Sequence, residues 1–174
     1  NKILKNDLKL NILKENSQIK NLFLKNKIRK ASINSKEVKR NDIFFAIKGK
    51  KKNGNKFVSE ALKKGACLAV VNKINKSEKK YKQIKVRNSL EFLTKTSKII
   101  RQNCSSKIIA ITGSCGKTSV KEMLKETLGK FGKISSSPKS FNNKYGVPLS
   151  LFNLNPKHDY GIFEVGMDKK GEIN

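Results

Sequence analysis

Residues 107–123 read KIIAITGSCGKTSVKEM: an apolar run, a loop bounded by Gly113 and Gly116, and then a segment with helical spacing. Few folds accept that succession. An apolar run, a tight glycine loop and a helix together begin a strand–helix unit whose strand lies parallel to its neighbours. Glycine is needed where backbone N–H groups converge on an anion, because a side chain would block the approach or the required φ. Lys117 offers a point charge for β- and γ-phosphate oxygens, and the Thr118 hydroxyl can ligate Mg²⁺. The common pattern G-x-x-x-x-G-K-[ST] asks for a first glycine at position 111, where this chain has Ile111. The loop reads as nucleotide-binding because of its context, against the alternative of a tight turn carrying a surface lysine.

Downstream, a helix is expected from Lys117 to Phe131, with Val120, Met123, Leu124 and Leu128 on one face. A short strand follows at FGKI, then the polar loop SSSPKSFNN, a helix after Pro148, and a buried strand, YGIFEVG, ending in Glu164. Strand, loop, helix, strand, helix, strand is the doubly wound α/β order, and the strand at KIIAIT should be buried on both faces. Glu164 then lies at the carboxyl edge of the sheet, where it can hold Mg²⁺ beside Thr118, directly or through water. Lys117 and Glu164 are the catalytic candidates, and Thr118 and Glu164 the metal ligands. By residue type alone, Asn142 and Asn143 are turn formers, Cys115 is a small filler of the loop, and His158 receives no role.

Upstream, a strand is expected at Ile43–Ile47, an Asn53-Gly54 turn, a short helix in FVSEALKKGA, and a buried strand at CLAVV. That strand–helix–strand unit implies parallel pairing. A last short strand at IKV precedes a helix in SLEFLTKTSKIIRQN, and residues 1–30 suggest only short elements. The fold class is α/β, with a boundary near residue 87. Residues 1–87 would form a small amino-terminal domain, and residues 88–174 the first part of a doubly wound phosphate-loop domain.

Composition narrows the partners. The 174 residues contain no run of about 18 apolar residues and no leader-like opening. Cys67, Cys104 and Cys115 are widely spaced, which fits a reducing, cytoplasmic compartment better than a disulfide framework. The net charge of +27 points towards nucleic acid, yet only four of the 40 basic residues are Arg, and the lysines are spread along the chain. Nineteen Asn accompany them. Joint inflation of Lys, Asn and Ile fits coding bias on a solvated surface, leaving a basic nucleic-acid module as the alternative from another class. With no initiating Met and an ending just past an apolar strand, the chain reads as a piece of something longer.

TGSCGKTS resembles the shortened phosphate loop of the Mur ligases, T-G-[ST]-x-G-K-T-[ST], in which Thr-Gly replaces the distant first glycine. GKTSVKEM, FNNKYGVPLSL and HDYGIFEVGMDKKGEI resemble the branch that joins D-alanyl-D-alanine to UDP-N-acetylmuramoyl-tripeptide. The segment from Ser32 to Val71 resembles the uridine-nucleotide domain that this branch shares with a neighbouring amino-acid-adding one, which is the runner-up reading. The resemblance implies a monomeric ATP- and Mg²⁺-dependent amide ligase of peptidoglycan precursor synthesis, acting through an acyl phosphate. It assigns Gly113, Ser114, Cys115, Gly116, Lys117, Thr118 and Ser119 to the ATP phosphates, and Asn142 and Asn143 to the cleft between nucleotide and acceptor. It assigns Ser35, Lys36 and Lys51 to the uridine diphosphate end. Two departures stand out: the family's D-[ST]-R is Asn34-Ser35-Lys36 here, and its Asp-Gly is Asn53-Gly54. Lys keeps the charge of Arg but not its bidentate fork. The resemblance also implies that residues 1–174 alone would turn over weakly or not at all, lacking the rest of the central domain and the carboxy-terminal domain.

Overall fold

The structure, a computed structural model, describes residues 28–49, 52–138 and 141–166. The expectations for residues 1–27, and the candidate Lys51, lie outside the described residues.

Among the described residues, seven strands form two parallel sheets. The first contains β1 (Ala31–Ser32), β2 (Ile43–Phe45), β3 (Leu68–Val71) and β4 (Gln83–Lys85), in the order β1-β2-β3-β4. Helix α1 (Val58–Lys63) connects β2 to β3, which pair in parallel as the strand–helix–strand pattern implies. Strand alternation explains how this small sheet is covered on both faces. Ile43, Phe45, Leu68 and Val70 point to one side, whereas Phe44, Ala46, Ala69 and Val71 join Val58, Ala61 and Leu62 on the other. Gly54 follows the Asn53 turn because a side chain there would stand 2.6 Å from the Ile47 amide nitrogen.

Helix α2 (Ser89–Gln102) starts at Asn88, whose Oδ1 accepts hydrogen bonds from the amides of Leu90 and Glu91. The second sheet contains β5 (Lys107–Ile111), β6 (Ile134–Ser136) and β7 (Tyr160–Glu164), in the order β5-β7-β6. Helix α3 (Lys117–Gly129) follows β5, and α4 (Gly146–Phe152) precedes β7. Helix α4 begins two residues before Pro148, not after it. The proline occupies the first turn, where an amide has no intrahelical acceptor to lose.

The two sheets share a core. Leu93, Ile100 and Cys104 from α2 and its end, with Leu149, Phe152 and Leu154 from α4 and beyond, pack between Phe45 of the first sheet and Phe163 of the second. The Phe45 and Phe152 rings meet edge-on, 5.5 Å apart. Ser97 Oγ donates to the Pro148 carbonyl at 2.6 Å, and Asn153 pairs with both backbone groups of Ala31, accepting at 2.7 Å and donating at 3.0 Å. Asn153 therefore acts as a one-residue neighbour for β1, an edge strand among the described residues.

Two expectations about the second sheet are corrected. Strand β5 is not buried on both faces: it is an edge strand among the described residues, with Ala110 exposed and Ile108 and Ile109 half-buried. Helix α3 does not turn its whole apolar face inward. Val120 and Met123 are 44% and 67% exposed, whereas Lys121 is buried. The covered face carries residues 121, 124 and 128, and Lys121 on it pairs with the buried Glu164.

Candidate functional site at the carboxyl ends of the second sheet

Parallel pairing brings the phosphate-loop candidate and the acid together. Ile111, the last residue of β5, is the register partner of Glu164, the last residue of β7. The Val165 amide continues the ladder to the Ile111 carbonyl at 2.8 Å. The glycine loop and the strand-end carboxylate thus leave neighbouring strands at one level, the place where open α/β sheets bind ligands.

The loop's shape depends on its glycines. Gly113 and Gly116 have φ of +144° and +76°, values rarely adopted by other residues. Gly116 is the residue before α3 and supplies no side-chain cap, so the first-turn amides are left for another acceptor. Thr112 to Gly116, Thr118 and Ser119 are exposed. The Lys117 ammonium donates to the carbonyls of Gly113 and Ser114, which draws its charge over the loop.

Glu164 is wholly buried, and so is its partner. Its Oε1 lies 2.9 Å from Lys121 Nζ, with side-chain exposures of 0% and 1%. The contact is an ion pair rather than a directed hydrogen bond, and neither carboxylate oxygen accepts a hydrogen bond among the described residues. Lys121 Nζ also donates to the buried Ser137 carbonyl at 3.2 Å and lies 3.5 Å from Glu122 Oε1. Ser137 Oγ accepts the Glu164 amide at 3.3 Å. A hydrogen bond from Lys125 holds the exposed Glu122 below the usual carboxylate range, and the Lys121 charge acts in the same direction. Buried carboxylate oxygens without donors are costly, and a cation relieves that cost. Lys121 supplies one such cation, and the oxygens that accept no hydrogen bond leave Glu164 able to take a divalent metal as well. No group of three or more His, Cys, Asp or Glu gathers among the described residues, so a metal here would draw on a hydroxyl, phosphate or water oxygens as well.

Asn142 lies beside this edge: its carbonyl accepts the Gly166 amide at 2.6 Å. A side chain at Gly166 would stand 2.9 Å from that oxygen, so the close approach requires glycine. Asn143 is exposed, and its Oδ1 accepts from the amides of Tyr145 and Gly146, both at 3.0 Å, at the start of α4. His158 belongs to the opposite end of the sheet, where its ring contacts Ser135 Oγ and Asn155 Nδ2.

The remaining candidates belong to the first sheet. Ser35 follows β1; it is buried, and its hydroxyl donates to Glu60 of α1 at 2.9 Å. Lys36 is exposed in the same turn, which Asn34 caps. The turn containing Lys48, Gly49, Asn53 and Gly54 follows β2, on the same edge as Ser35 because the strands are parallel. Lys121 is the residue that motif reasoning passes over. A lysine on an amphipathic helix reads as solvated, and its buried partner shows only once β7 is placed beside α3.

Known proteins match this arrangement over most of the chain. The family model for the Mur ligase catalytic domain matches residues 27–101, and that for the Mur ligase middle domain matches residues 111–174. The UDP-N-acetylmuramoyl-tripeptide–D-alanyl-D-alanine ligase of Rickettsia prowazekii is 41% identical over 141 residues, covering 81% of this chain and 31% of that protein. The enzyme of the same name from Buchnera aphidicola (Acyrthosiphon pisum) is 39% identical, covering 84% and 32%. Among solved structures, MurF from Acinetobacter baumannii superposes with a TM-score of 0.73 at 31% identity, covering 83% of this chain and 32% of that one. An ADP complex of MurF ligase from Thermotoga maritima gives 0.68 at 31% identity, covering 82% and 33%. The chain thus spans about a third of the length of the relatives it matches.

Proposed function

Because the chain belongs to the Mur ligase family, we propose that it carries the phosphate loop and the uridine-nucleotide region of an ATP-dependent ligase. That ligase adds D-alanyl-D-alanine to UDP-N-acetylmuramoyl-tripeptide in peptidoglycan precursor synthesis. The observation that carries this reading is the shared level of the glycine loop and Glu164 on adjacent strands.

In this reading the loop amides, Lys117 and Ser119 hold the ATP phosphates, and Lys117 draws charge from the γ-phosphoryl oxygens as it transfers. Thr118 and Glu164 would hold Mg²⁺, which, when bound, would neutralise phosphate charge. The tripeptide's terminal carboxylate oxygen attacks the γ-phosphorus, and ADP leaves. The dipeptide's amine then attacks the acyl carbon of the resulting acyl phosphate, and inorganic phosphate departs. Asn142 and Asn143 border the cleft in which the two substrates meet, where orientation is the chief demand. Ser35, Lys36 and Lys51 serve the uridine diphosphate end; of these, Ser35 and Lys36 lie at the carboxyl edge of the first sheet. We place the domain boundary near residue 87 and read the enzyme as a cytoplasmic monomer. No helix among the described residues is long and apolar enough to cross a membrane.

Phosphate release by the full-length protein tests this. ATP with UDP-N-acetylmuramoyl-tripeptide should release phosphate only when D-alanyl-D-alanine is added. Release supported instead by a diamino acid on the shorter precursor would assign the amino-acid-adding branch. Steeply salt-dependent nucleic-acid binding without ATP turnover would assign the basic module. Residues 1–174 alone should show at most weak turnover.

A further inference from the structure

We propose that Lys121 is a resident counter-cation of Glu164, competing with the divalent metal for that carboxylate and thereby making metal binding depend on the nucleotide. The inference rests on the reading of Glu164 as a metal ligand. Its basis is the burial of both partners, at 0% and 1% exposure, and their 2.9 Å separation. A carboxylate already neutralised by an adjacent ammonium attracts a second cation weakly, and in a buried setting the ammonium–metal repulsion is poorly screened. Lys117 adds a further positive charge over the loop, through its contacts with Gly113 and Ser114. Free metal would therefore meet the Lys121 ammonium at the Glu164 carboxylate, with the Lys117 ammonium over the loop. A metal arriving with a triphosphate brings its own negative charge, and the same two lysines then favour it.

Lys121 also has somewhere to turn when Glu164 is taken by metal. Its Nζ donates to the Ser137 carbonyl at 3.2 Å and lies 3.5 Å from the ionised Glu122. The ammonium can shift towards these acceptors without becoming a buried unpaired charge, the outcome that makes broken buried pairs so costly. An ion pair serving only to fasten α3 to β7 would need neither alternative acceptors nor carboxylate oxygens that accept no hydrogen bond among the described residues. Lys121 is thus a positioning residue, acting on the reaction through Glu164.

The test is Mn²⁺ binding to the full-length enzyme, read by electron paramagnetic resonance of free Mn²⁺, with and without ADP. Wild type should bind Mn²⁺ at least tenfold more tightly with ADP than without. Lys121→Gln keeps a hydrogen-bond donor beside Glu164 and removes the charge; it should bind Mn²⁺ about tenfold more tightly than wild type in the absence of nucleotide. Lys121→Arg, which keeps the charge, should match wild type. A folded Lys121→Gln protein with unchanged or weaker nucleotide-free Mn²⁺ binding overturns the proposal. If that variant does not fold, equal wild-type affinities with and without ADP overturn it in the same way. Glu164→Gln separates the two levels: if it leaves Mn²⁺ binding with ADP intact, Glu164 is no metal ligand and the underlying reading fails too.

Discussion

Gly116 marks both what residue identity discloses and what it hides. Its φ of +76° and its place before α3 follow from a glycine ahead of a lysine and a helical run, legible without coordinates. Lys121 was not legible in the same way. A lysine on an amphipathic helix in a chain of net charge +27 reads as solvated, and only the placement of β7 beside α3 reveals its buried partner. Cys115 provides a test at this scale. It is exposed in the loop, whereas Cys104 is buried and Cys67 is half-buried. Burial is the main cause raising the Cys67 thiol above its ordinary value of 9.0. At pH 8 a thiol reagent should therefore modify Cys115 first, and Mg²⁺–ATP should slow that reaction severalfold. The sign for Cys67 follows from its raised value. The folded state holds the proton more tightly, so this contribution to stability is full below the unfolded thiol's pKa and is lost as pH rises through the higher folded value. Mass spectrometry of partially labelled protein checks the order; Cys67 reacting first, or no protection by ATP, contradicts it.

Strands of the first sheet followed from short continuous apolar runs, because a parallel strand covered on both faces writes its burial into consecutive residues. Ile43, Phe44 and Phe45 are all fully buried, facing opposite cores in turn. Helix α3 and strand β5 were harder to read. Their apolar residues exceed what the described residues cover, so the pattern gave the right element and the wrong exposure. A buried ion pair also lies on the covered face of α3, and hydrophobic periodicity carries no trace of it. Phe45 should be the costliest of these aromatic positions, since its ring touches both Phe92 and Phe152 in the core joining the two sheets. Phe45→Ala should lower unfolding stability by about 3–5 kcal/mol. Phe57→Ala, at a position 38% exposed, should cost much less. Urea unfolding monitored by circular dichroism compares them, and equal losses would contradict the shared core.

Among the described residues, one packed centre joins the two sheets whose carboxyl edges carry the proposed phosphate sites. Asn153 and Ser97 tie α4 to β1 and α2, and the hydrophobic core runs from Phe45 to Phe163. The doubly wound order was legible because each strand–helix connection is short; the shared core was not, because it depends on contacts more than 100 residues apart along the chain. The proposed function has ATP, held at the glycine loop, phosphorylate a carboxylate rather than water. Its most direct test supplies the full-length enzyme with ATP, D-alanyl-D-alanine and UDP-N-acetylmuramoyl-tripeptide labelled with ¹⁸O in the terminal carboxylate, and follows the label into phosphate. Transfer through an acyl phosphate predicts one ¹⁸O in each inorganic phosphate released, and Lys117→Ala should suppress that release by orders of magnitude. Phosphate carrying no ¹⁸O would contradict the account, because its oxygen would then have come from water.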